Sequence, residues 1–240
     1  MSTYERTAVV TGAAIRIGRA IAEMLIADGF HVVVHYGQSG TAARELADLH
    51  PDDITLVQAN LNDPCGAVAQ IMSVLADAGR SADVLVNSAA IFEEGGWQET
   101  TEDQWDRHFN INLKAAFFLS QAFAAALPQD MSGHIINVVD WRGGRPRADH
   151  LAYTLTKSAL LAMTRALAQD MAPRIQVNGV APGAILPPPG LPTEYLERRI
   201  GEIPLRRHGN PHDIARSVQF LVGSPFITGE IIHVTGGEQL

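Results

Sequence analysis

The chain has 240 residues, 46% hydrophobic and 18% charged, with a formal net charge of −8. That length suits one large α/β domain or two small ones and buries roughly three quarters of the unfolded surface. The acidic balance argues against a nucleic-acid binder, which needs a basic footprint, and the single cysteine, Cys65, leaves no intrachain disulfide and points to a reducing compartment.

Short β-branched runs alternate with alanine-rich helical patterns along the chain. TAVVTG (7–12) reads as a strand and RIGRAIAEMLIADG (16–29) as a helix ended by Gly29. HVVVHY (31–36), TAARELADLH (41–50) and ITLVQAN (54–60) continue as strand, helix and strand. AVAQIMSVLADAG (67–79) is the third helix and DVLVNSA (83–89) the fourth strand. TEDQWDRHFNINLKAAFFLSQAFAAAL (101–127) reads as one long helix, followed by the strand HIINVV (134–139) and a helix carrying Tyr153 and Lys157. IQVNGVAPG (175–183), PHDIARSVQFLVG (211–223) and GEIIHVTGG (229–237) complete the alternation. Strict alternation with near-continuous apolar strands predicts a parallel sheet covered on both faces. With right-handed crossovers this is a single-domain, Rossmann-type doubly wound α/β fold over residues 1–240. The proline- and glycine-rich segment 183–204 follows a strand end and is expected to be a substrate lid. No apolar run reaches the roughly 18 residues of a membrane span. MSTYERTAVV carries neither a basic leader nor an apolar signal core, so the expected location is the cytoplasm.

The glycines of TGAAIRIG lie between the first strand and first helix. Gly12 permits a tight turn and Gly18 a close helix–strand approach, which brings a helix N-terminus to a dinucleotide pyrophosphate. Arg16 stands between them. The second strand ends in HYGQSG without the acid that binds a ribose 2′-hydroxyl. Its absence, with Arg16 nearby and Gln38 and Ser39 as donors, points to NADPH. Asn87, in the small-residue segment NSAA, is expected to fix the loop against the cofactor ribose. Asn112 interrupts an apolar helix and is expected to be buried and functional.

Tyr153 and Lys157 lie four apart, on one helix face. An ammonium beside the phenol is expected to lower the tyrosine pKa and poise it for proton donation. Asp140 ends the run HIINVVD, facing the crevice at the strand ends. The histidines show no metal pattern: His31 and His35 are about 13 Å apart along a strand at ~3.3 Å per residue, too far to share an ion. Arg142, Arg145 and Arg147 read as a solvated loop or as contacts for an anionic substrate tail.

TGAAIRIG, NSAA, Asn112, YTLTK, VNGVAPG and ITGEIIHVTGG together resemble the short-chain dehydrogenase/reductase family over essentially the whole chain. The resemblance implies Tyr153 as proton donor, Lys157 as ligand of the nicotinamide ribose, and Asn112 as the anchor of a relay water. It also implies cofactor contacts at Ile17, Tyr36, Asn60, Leu61, Ser88, Ala89, Pro182 and Gly183, and a homotetramer built through the long helix and the Tyr153 helix. Asp140 replaces the usual serine, and with Arg16 in the glycine motif this is similar to the pteridine reductases. That similarity implies a flat pterin-like substrate stacked on Phe92, touching Asp140, Tyr153 and Leu186. Gln38, Ala90 and Asn60 depart from the pteridine reductase pattern, so folate-type, biopterin-like and monapterin-type substrates stay open. A carbonyl reductase of the same family and a non-catalytic dinucleotide sensor are the rival readings; Thr154 or Trp141 would then stand in for the missing serine.

Overall fold

The computed structural model describes residues 6–240. Seven strands form one parallel sheet: β1 (Thr7–Val10), β2 (His31–Tyr36), β3 (Ile54–Gln58), β4 (Val84–Asn87), β5 (Gly133–Val138), β6 (Ile175–Pro182) and β7 (Ile231–Val234). Their order is β3-β2-β1-β4-β5-β6-β7. The doubly wound fold expected from the alternation is therefore the fold observed. The winding reverses between β1 and β4, and an open sheet binds ligands at the crevice this creates.

The register explains the continuous apolar runs. Val9 of β1 lies opposite Val33 of β2 and Leu85 of β4. Successive side chains point to opposite faces, so Ala8 and Val10 join one core and Val9 the other. Helices α1 (Arg16–Ala27), α2 (Gly40–Leu49) and α8 (Pro211–Val222) cover the first face through Ile21, Leu25, Leu46 and Val218. Helices α3 (Pro64–Asp77), α5 (Ala115–Ala126) and α6 (Leu151–Asp170) cover the second through Ile71, Leu119, Phe123 and Leu167. Each such side chain contributes roughly 1.5–3 kcal/mol by leaving water.

Helix α3 begins earlier than its apolar pattern suggests. Asp63 caps it by accepting from the Gly66 N–H at 3.2 Å, and Pro64 occupies the first turn, where its missing N–H costs nothing. Cys65 lies exposed in that first turn. The long helix expected over 101–127 is not uniform. It comprises α4 (Glu102–Phe109), a π-helical turn at Asn110–Lys114 and then α5. Such turns insert an extra residue into the helical ladder and recur at functional sites; this one turns Asn112 inward, 2% exposed.

After β6 the segment 183–204 forms only short helical pieces, α7 (Glu194–Glu197) and a 3₁₀ turn at Ile200–Glu202. Ala184, Leu196 and Ile203 make a small core of their own beneath it. Among the described residues no helix is long and apolar enough to cross a membrane.

Candidate active site

A cavity of about 980 Å³ opens along the C-terminal ends of the strands. One end is built by the glycine loop. Gly12 has φ +65°, and a Cβ there would lie 2.9 Å from the Ala89 Cα. A Cβ on Gly18 would lie 2.2 Å from the Gly12 carbonyl oxygen. Both positions therefore exclude side chains, and bare backbone borders the cavity. Arg16 also has positive φ, +57°, although it is not glycine; its side chain crosses to the segment after β6, donating to the Pro187 carbonyl at 2.7 Å. Ile15, the N-cap of α1, offers no side-chain bond to the helix N-terminus. Uncapped N–H groups facing a cavity suit a pyrophosphate, so the residues present fit a dinucleotide.

Ile17 and Gly18 line this end, as do Tyr36, Gln38, Ser39, Asn60 and Leu61 at the strand-two side. Ser39 heads α2 without spending its hydroxyl on a cap, and a Cβ on Gly37 would meet nothing closer than 4.0 Å. Ser88, Ala89, Pro182, Gly183 and Leu186 also line the cavity.

Two expected site residues stand behind the wall rather than in it. Asn87 is buried and donates to the Asn137 side-chain oxygen at 2.9 Å, tying β4 to β5. Asn112 clamps the loop after β4, accepting from the Ile91 N–H at 2.8 Å and donating to the Ile91 carbonyl at 3.0 Å and the Thr156 hydroxyl at 3.3 Å.

Two residues were missed as site builders. His35 is marked by the sequence pattern only as too far from His31 to share an ion. Its Nδ1 accepts from the Gly12 N–H at 3.2 Å while Nε2 faces the Ala59 carbonyl at 3.1 Å, so it props the glycine turn. Thr11 accepts from the Ser88 and Ala89 N–H groups, each at 3.0 Å, and pins the β4 loop to the same turn. Strand alternation gives the sheet face on which His35 lies, but only the pairing of β2 with β1 and β3 shows what it meets.

At the other end Asp140, Tyr153 and Lys157 converge. The Tyr153 hydroxyl donates to Asp140 Oδ2 at 2.8 Å, and Asp140 Oδ1 accepts from the Arg142 N–H at 2.8 Å. Lys157 Nζ donates to the Val138 carbonyl at 2.7 Å and lies 5.6 Å from the Tyr153 ring centre. Burial raises the Asp140 carboxyl above the usual carboxylate range despite the Arg142 N–H, Tyr153 and the nearby cations. Burial likewise lowers the Lys157 ammonium to about 8, with Asp140 pulling the other way.

The expected lowering of the Tyr153 pKa is not found. Burial and then the adjacent Asp140 carboxylate push the phenol well above its usual range. The ammonium spends its hydrogen bond on Val138, whereas the carboxylate sits directly on the hydroxyl. Tyr153 is thus a firmly protonated donor coupled to a carboxyl with a raised pKa.

Phe92 stands beside this pair, its ring edge-on to Tyr153 at 4.6 Å and stacked on His150 at 3.9 Å. Arg142, expected as part of a solvated loop or a tail contact, is 6% exposed and paired with Asp149 at 2.8 Å. Arg145 and Arg147 do lie exposed; Arg145 donates to the Leu240 carbonyl and Arg147 covers the Trp141 ring. Thr154 is 1% exposed and does not line the cavity; Trp141 does.

A nucleotide-sized crevice at the switch point, a glycine-bound helix N-terminus and a buried Tyr-Lys pair define a dinucleotide-dependent oxidoreductase. A family model described as enoyl-(acyl carrier protein) reductase matches residues 12–239. The chain is 35% identical over 240 residues to the 3-oxoacyl-[acyl-carrier-protein] reductase FabG of Staphylococcus aureus, covering 97% of each chain. It is also 35% identical to FolM alternative dihydrofolate reductase 1 from Brucella canis, solved with NADP, with a TM-score of 0.91 over 98% of this chain and 94% of that one. A blue fluorescent protein from a metagenomic library, solved with NADPH, is 34% identical with a TM-score of 0.89 over 99% of each chain. The chain belongs to the short-chain dehydrogenase/reductase family.

Proposed function

We propose that this protein uses NADPH to reduce a C=N bond of a pterin ring, taking a dihydropterin or dihydrofolate to the tetrahydro form. The observation that carries the reading is the 2.8 Å hydrogen bond between Tyr153 and Asp140, beside the Phe92 ring. Ketone reduction calls for a hydroxyl that donates to the carbonyl oxygen, and a carboxylate at position 140 repels a developing alkoxide. A ring nitrogen gaining positive character is instead stabilised by it.

Gly12, the α1 N-terminus, Arg16 and Ser39 would hold the cofactor's phosphates, and Lys157 its nicotinamide ribose. When bound, NADPH supplies a hydride to the ring carbon. Tyr153 gives its proton to the adjacent nitrogen, and Asp140, which accepts from the Tyr153 hydroxyl at 2.8 Å, relays a replacement proton from solvent back to it. Asn112 fixes the loop carrying Phe92, and Phe92 offers a flat ring the aromatic face that an aliphatic ketone would not use. The segment 183–204 closes over substrate, with Leu186 at the substrate and Tyr195 and Arg199 further along the same wall. Outward-facing Phe117 on α5 and Leu155 on α6 suit a homotetramer packed through those helices.

The relationship to FolM supports the pterin reading, and the equal identity to FabG supports a second one, reduction of a 3-oxoacyl or other carbonyl. NADPH oxidation, followed at the nicotinamide absorbance with dihydrofolate, dihydrobiopterin and dihydromonapterin against a ketone panel, decides between them. Turnover of any pterin and of no ketone is expected. Turnover of ketones alone would overturn the proposal.

A further inference from the structure

The loop that carries Phe92 is fastened at almost every residue except Phe92 itself. Asn112 holds Ile91 through both backbone groups. His108, fully buried in α4, accepts from the Glu93 N–H at 3.4 Å, and Gln104 donates to the Glu94 carbonyl at 2.7 Å. Gly95 bridges to the start of α6, donating to the Asp149 carbonyl at 3.0 Å and accepting from the Leu151 N–H at 2.9 Å. That bridge brings His150, 6% exposed, against the Phe92 ring with planes 13° apart and centres at 3.9 Å.

We propose that His150 is a positioning residue: stacked behind Phe92, it holds the platform on which a flat substrate ring binds. The inference rests on the reading of the substrate as a planar heteroaromatic. Phe92 has no hydrogen bond to fix its ring, so its orientation depends on its neighbours. Of these, Tyr153 meets it edge-on and Arg142 places its guanidinium carbon 5.6 Å from the ring centre. Among the described residues only His150 lies parallel to it. His150 is itself held at its ring edge, with Nδ1 3.2 Å from Asp149 and 3.5 Å from the Arg142 guanidinium. Offset or parallel stacking transmits a position because ring pairs resist tilting and lateral displacement. The sequence D-H-L-A-Y thus places a second aromatic layer three residues before the proton donor, on the same helix entrance.

The test compares His150→Phe, which keeps a stacking ring, with His150→Leu, which keeps apolar bulk without one. Steady-state kinetics with dihydrobiopterin and NADPH are measured with the intact enzyme, alongside NADPH affinity by quenching of tryptophan fluorescence. For His150→Leu, KM for the pterin is expected to rise about three- to tenfold, the span of an aromatic pair's contribution, with kcat changed less. His150→Phe restores KM, and both variants bind NADPH as the wild type does. A His150→Leu enzyme with wild-type KM, or one that loses NADPH affinity along with pterin affinity, overturns the positioning role. Should the wild type turn over no pterin, the substrate reading falls and takes this inference with it, a result distinct from either of those.

Discussion

Replacing Asp140 by serine separates the chemistry from the fold. The carboxylate makes two bonds, from the Tyr153 hydroxyl and from the Arg142 N–H, both at 2.8 Å. A serine oxygen still reaches the N–H two residues ahead, so the 3₁₀ turn at Trp141–Gly143 keeps its cap. It is too short to retain the bond to Tyr153 as well. Loss of an acid–base partner costs about 10²–10⁴-fold in rate, which is about 3–5 kcal/mol at about 1.36 kcal/mol per decade. The kcat/KM for a dihydropterin is therefore expected to fall by about 10²–10⁴, while ketone reduction appears or rises. Stability is not the cause of the loss. Asp140 has a raised pKa in the fold, so any stabilisation from it is present below the usual carboxylate pKa and lost as pH rises through the raised value. Because the fold disfavours the ionised carboxyl, the serine variant is expected to melt no lower than the wild type once pH exceeds that raised value. Removing the carboxylate also lowers the Tyr153 pKa, moving the alkaline limb of the rate profile to lower pH. Asp140→Ser with full pterin turnover would refute the reasoning.

Arg16→Gly replaces a left-handed non-glycine residue by the one that favours that conformation. Stability is expected to change by less than about 1 kcal/mol, because relieved strain offsets added chain entropy, while NADPH affinity drops at least roughly tenfold from loss of a charged phosphate contact. Isothermal titration with NADPH and NADH checks this, and equal losses for both cofactors would remove Arg16 from the 2′-phosphate. Lys157 has a folded pKa of about 8 against 10.5 unfolded. Between those values the unfolded chain binds the extra proton, so wild-type stability rises with pH relative to Lys157→Met. Denaturant melts at about pH 7 and about pH 10 should show a relative gain of roughly 2–3 kcal/mol; a flat difference would show that the ammonium is not desolvated as the structure indicates.

Much of the fold was legible because parallel strands buried on both faces read as continuous apolar runs, and HVVVHY or HIINVV fit nothing else well. The π-helical turn was not, since an inserted residue in a helical ladder leaves no mark on the 3.6-residue pattern beyond the awkward Asn112. Gly12, Gly18, Tyr153 and Lys157 could be found because their local spacing is itself the geometric requirement. The direction of the Tyr153 pKa could not, because it is set first by burial in the folded chain and then by Asp140, 13 residues away in sequence and in hydrogen-bond contact through space. Arg142 misled for the same reason: three arginines in six residues look solvated until Asp149 folds back onto the first. His35 shows that a residue dismissed for one chemistry can still serve another, here as a prop for the glycine turn.

The glycine cradle divides the cofactor site into a part closed to change and a part open to it. At Gly18 an added methyl group would sit 2.2 Å from a backbone oxygen, and at Gly12 2.9 Å from a backbone carbon. At Gly37, at the end of β2, the nearest atom would be 4.0 Å away and φ lies outside the left-handed region. A Cβ is accommodated there without moving the backbone. The glycine turn after β1 is thus closed to added side chains, while the end of β2 has room for one, so the two sides of the cavity differ in which residues they accept.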